Sequence, residues 1–76
     1  MITTRFNVVC PDKVIFGLEY EDAMRIAHKE FEAVKHSYIK RYGATQLEIL
    51  PNFEGVRYTV RHNKQWQPVV FTERVG

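Results

Sequence analysis

With 76 residues the chain makes one small domain, 1–76, able to bury roughly 60–65% of the surface its unfolded state exposes, a thin core with no deep cleft. Hydrophobic residues at 45% and charged residues at 26% describe a folded globule and exclude a disordered tail. The formal charge of +2 neither demands nor forbids a nucleic-acid partner, and Cys10, the only cysteine, excludes an internal disulfide.

No run of about 18 apolar residues could span a bilayer. The amino end lacks the apolar core and cleavage site of a secretion signal, so a reducing cytoplasm is the expected compartment.

In chain order, residues 2–9 alternate, with Ile2, Thr4, Phe6 and Val8 on one side, which predicts a half-buried strand. Cys10-Pro11-Asp12-Lys13 reads as a turn, and Val14-Ile15-Phe16 as a short second strand ending at Gly17. An extended linker dropping into the next element is the alternative for that run.

A long helix is then predicted from about Tyr20 to Tyr42. Tyr20, Ala23, Met24, Ala27, Phe31, Val34, Tyr38 and Tyr42 recur at spacings of three and four and line one stripe. Glu19, Glu21 and Asp22 suit the positive end of its dipole, while a good N-cap is missing. Lys40 and Arg41 suit the other end, and Gly43 can take the left-handed cap conformation. Glu21–Arg25 and Glu32–His36 are expected as i,i+4 ion pairs on its solvated side.

After Gly43 the chain reads as strands. Thr45 to Leu50 alternates, Pro51 to Gly55 connects, and Val56 to His62 alternates again. Asn63-Lys64 has hairpin-loop length and leads into a last strand, Trp66 to Thr72. Pro68 within it suggests an edge strand, because a central one would use the N–H that proline lacks. The expected order is ββαβββ, an α+β fold with an antiparallel sheet and one long helix packed on one face.

A two-residue loop at Asn63-Lys64 sets Arg61 opposite Trp66, Thr59 opposite Pro68, Tyr58 opposite Val69 and Arg57 opposite Val70. Val56, Tyr58, Val60, Val69 and Phe71 then meet the helix, and Arg57, Thr59, Arg61, Trp66, Pro68 and Val70 lie on the other face. A three-residue loop would flip that assignment. Arg61 beside Trp66 allows a cation–π contact of roughly 0.5–1 kcal/mol, and Trp and Arg are the residue types most enriched at binding hot spots. The plainer alternative has Trp66 capping a core edge and both arginines solvated.

Chemical motifs are sparse. His28, His36 and His62 form no i,i+3 or i,i+4 ligand pair, and no CxxC exists, so neither metal nor cofactor is implied. Ser37, the only serine, falls in mid-helix, and no carboxylate pair stands out as acid and base. A non-enzymatic chain is expected. Candidate binding residues are Arg57, Arg61, Lys64 and Trp66, with the polar helix face as an alternative surface.

Glu19-Tyr20-Glu21-Asp22-Ala23-Met24-Arg25-Ile26-Ala27-His28-Lys29-Glu30, followed by Leu47-Glu48-Ile49, Gly55 and Trp66, resembles small phage-encoded proteins that disarm host machinery. Among these it is similar to a compact anti-CRISPR family acting on type I-F surveillance complexes. That family shares the hairpin, a single helix with the pattern A-x-R-I-A-x-K-E, and a meander ending in a tryptophan strand. The resemblance implies an inhibitor that occupies a surface of a host protein or nucleoprotein complex. Independently of it, the missing apolar run leaves no membrane expected, and free sheet edges keep a homodimer open beside a monomer. The helix here is longer and the basic residues differ, so no target contact carries over. The segment Arg57 to Trp66 also looks like the meander of ribosome-dependent toxin nucleases, which implies as the alternative a nucleic-acid-binding domain using its basic strands.

Overall fold

The helix links opposite edges of a single sheet, and its length follows from that. The structure is a computed structural model and describes residues 4–75. Its elements are β1 (Arg5–Val9), β2 (Val14–Leu18), α1 (Tyr20–Tyr42), β3 (Thr45–Leu50), β4 (Gly55–His62) and β5 (Gln65–Val75). All five strands are antiparallel in the order β2-β1-β5-β4-β3, with the helix laid on one face. The expected α+β architecture is therefore what the chain adopts; Ile2 and Thr3 of the predicted first strand lie outside the described residues, and the strand begins at Arg5, after Thr4.

Strand β2 is one edge and β3 the other, so the crossover must traverse about 19 Å of sheet width at the usual strand spacing. The 23-residue helix is about 34 Å long, enough to cross diagonally. At its start Tyr20 packs edge-on against Phe6 and Phe53, and at its end Tyr42 lies against the His62 ring. Between them Ala23, Ala27 and Phe31 are buried, and Phe31 stacks on Tyr58 with centroids 4.6 Å apart. Small residues at 23 and 27 bring the helix close to the sheet, and the larger side chains of the stripe close the core around Phe6, Val8, Val56, Val60 and Val70.

Both helix ends follow the expected chemistry. Glu19 makes no side-chain cap bond, and Gly43, at φ 90°, donates its N–H to the Ile39 carbonyl at 2.8 Å. The ion pairs differ from expectation. Arg25 reaches Asp22 instead of Glu21, and Glu32 meets His28 and Lys35 instead of His36. Neighbours three and four positions away share the same helix face, so either spacing can win.

Two strand predictions need correction. Strand β5 is central, between β1 and β4, and not an edge. Its pairing with β1 nevertheless begins only at Phe71, so the stretch holding Pro68 has β4 on one side and no strand on the other. Proline's missing N–H is harmless there. The β4–β5 register matches expectation from His62–Gln65 to Thr59–Pro68, then slips, so that Tyr58 faces Val70 and Arg57 faces Phe71. Val69 is the extra residue of a β-bulge, and every residue after it exchanges faces. Val70 turns into the core, fully buried, and Phe71 moves to the other face, reversing the expected positions of both.

A second device joins β4 to β5. The Val56 N–H donates to the Thr72 hydroxyl at 3.0 Å, and that hydroxyl faces the Glu54 and Val56 carbonyls at 3.3 and 3.4 Å. The Thr72 side chain thus takes over ladder bonding where β4 begins. Gly55, at φ 120°, is required beside it, because a β-carbon there would overlap that hydroxyl.

Candidate interaction face

Residues directly paired across strands share a face, so the pairings map the side of the sheet away from the helix. One row crosses every strand: Val14, Val9, Phe71, Arg57 and Glu48. It is apolar toward β2 and ends in the Arg57–Glu48 ion pair, 3.5 Å, at β3. Nearer the Asn63-Lys64 turn lie Thr59 opposite Pro68, then Arg61 opposite Trp66. The Arg61 guanidinium carbon stands 5.8 Å from the Trp66 ring centroid, and Trp66 is 41% exposed. Phe16, 71% exposed, extends the apolar end on β2. Among the described residues no element covers this face.

Of the four candidate binding residues, the structure brings Arg61 and Trp66 into contact. Arg57 shares their face but spends its charge on Glu48. Lys64 sits in the turn at φ 66°, with Asn63 at φ 53°, the two left-handed residues of a tight two-residue hairpin. That loop length fixes Trp66 on the open face. Val9, Val14, Phe16 and Phe71 carry no charge or motif that would single them out in the sequence as a surface. The signal for Phe71 is the unbroken run Val69-Val70-Phe71, which strict alternation cannot accommodate.

The polar residues on this face are held rather than loose. The Thr59 hydroxyl donates to the Gln46 carbonyl at 3.4 Å. Asn7 is buried, and its side-chain oxygen accepts the Gly17 N–H at 3.2 Å across an irregularity between β1 and β2.

The titratable groups with shifted affinity lie elsewhere. Burial pushes the Cys10 thiol above its ordinary 9.0, reinforced by Glu30, so it is a thiol and a poor nucleophile at neutral pH. Burial likewise raises the Tyr58 hydroxyl, which lies 3.2 Å from His28 Nδ1. Among the described residues no group of three metal-ligating side chains comes together, and no helix is long and apolar enough to cross a membrane.

No family model, curated protein or solved structure matches the chain.

Proposed function

We propose that this chain is a small non-enzymatic inhibitor, encoded by a phage or mobile element, that acts in the cytoplasm by laying the open face of its sheet on a host protein or nucleoprotein complex. The observation that carries the reading is the uncovered apolar row from Val14 to Phe71, rimmed by the Arg61–Trp66 pair. A flat aromatic and aliphatic centre beside arginine is the composition of interface hot spots. Arg61 and Lys64 make no ion pair with a carboxylate among the described residues, so the complementary surface carries acidic groups around an apolar patch. The resemblance to anti-CRISPR proteins supplies the kind of target.

The test is capture from host extract with the tagged protein, using variants matched for stability. Trp66→Ala and Phe16→Ser should each lower recovery of the captured complex at least tenfold without shifting thermal unfolding by more than a few degrees. Lys29→Ala, on the helix side, should recover it fully. Equal recovery by all three variants would sink the proposal. Strong binding to bulk RNA that collapses steeply with added salt would instead favour the nucleic-acid reading.

A further inference from the structure

We propose that the protein forms a two-fold homodimer by antiparallel pairing of β3 with β3 of a second copy, centred on Leu47. The two edges of the sheet are built differently. Strand β2 is blunted: its register with β1 is irregular, Gly17 adopts φ 69°, and Asn7 takes up the Gly17 N–H. Strand β3 has no such protection. It pairs regularly with β4 from Thr45 to Leu50 and contains no proline, glycine or lysine.

The helix does not cover it either. On the helix side of β3, Leu47 is 48% exposed and Ile49 72% exposed. A groove of about 280 Å³ remains between the helix and this strand, with Phe31, Thr45, Leu47 and Tyr58 in its walls. Regular backbone and a bare apolar flank together make β3 a template for another strand.

Self-complementarity identifies that strand as a second copy. A two-fold axis perpendicular to the sheet pairs β3 with itself antiparallel and keeps both helices on one side. Centring on Glu48 would set two carboxylates directly opposite each other, a destabilising arrangement. Centring on Leu47 sets Leu47 opposite Leu47, Thr45 opposite Ile49, and Gln46 opposite Glu48 twice over. Leucine then meets leucine and β-branched threonine meets isoleucine on the helix side, and amide meets carboxylate on the other. The formal charge of +2 offers little repulsion between copies. The product is a continuous ten-stranded sheet whose open faces lie side by side.

Sedimentation velocity of the full chain across a wide concentration range tests this, with circular dichroism to confirm folding. The wild type should pass reversibly from monomer to dimer. Leu47→Lys, which sets two ammonium groups against each other at the axis, should remain monomeric throughout. Gln46→Lys, an exposed change that faces Glu48 of the second copy in this register alone, should tighten the dimer by roughly tenfold through two cross-strand ion pairs. Adding Glu48→Lys to Gln46→Lys should abolish it. A wild type that is monomeric at every concentration overturns the proposal, as does a dimer that Leu47→Lys leaves intact. If Leu47→Lys fails to fold, the Gln46→Lys pair of variants decides alone, and a dimer weakened by Gln46→Lys overturns the register.

Discussion

Thr72 carries the junction between β5 and the start of β4. Its hydroxyl is the partner of the buried Val56 N–H, so Thr72→Val keeps the shape but strands a donor in the core. Losing such a partner costs about 1–3 kcal/mol, which should appear as a lowered midpoint in chemical denaturation. Gly55→Ala should be at least as harmful. It combines an unfavourable backbone conformation with overlap on Thr72, two mechanisms known for large effects, for a loss of roughly 2 kcal/mol or more. Phe53 shows the opposite arrangement: it holds φ 55° without being glycine and is 74% exposed, yet its ring seals Tyr20 at the start of the helix.

At the level of elements, the β4–β5 hairpin sets which side chains the open face displays. Its turn uses Asn63 and Lys64 at positive φ, where a lysine is held about 1–2 kcal/mol above its preferred conformation. Lys64→Gly gives the favoured Asn-Gly turn and should raise stability by about 0.5–1 kcal/mol, read from thermal or denaturant unfolding. Because Lys64 is also a candidate contact, a stabler but weaker-binding variant would separate its two roles. The helix and its stop were legible because an eight-residue stripe and Gly43 repeat one message over many positions. The hairpin register was legible as far as Thr59–Pro68, since loop length alone determines it. The bulge at Val69 was not, because one added residue leaves no mark in composition and reverses everything beyond it. Pro68 misled for a related reason: its chemistry reports a local lack of neighbours, whereas strand order depends on pairing with β1, more than sixty residues away in the chain. The juxtaposition of Arg61 and Trp66 was legible from loop length, whereas the rest of the row was not, because it depends on that long-range pairing.

For the whole molecule, the shifted groups predict how stability responds to alkali. The Lys13 ammonium, hydrogen-bonded to Glu30 with a 3.1 Å ion pair, holds its proton beyond its ordinary 10.5, and buried Tyr58 holds its own beyond 10.0. In both, the folded state binds the proton more tightly than the unfolded chain. Their contribution is therefore complete below about pH 10 and is lost as pH rises through the folded-state values. Thermal midpoints should fall as pH rises above about 10, and Tyr58→Phe should flatten part of that fall.

The joint between β1 and β5 carries a consequence for the order of assembly. Arg5 lies opposite Val75, so the sheet's middle seam is closed by the first and last described strands. A chain emerging from a ribosome can fold its opening hairpin and its helix early, but neither has a core to join until Val70 and Thr72 arrive. Loss of the final strand therefore removes the centre of the molecule rather than its margin, and a nascent chain halted before it should remain sensitive to protease along its whole length.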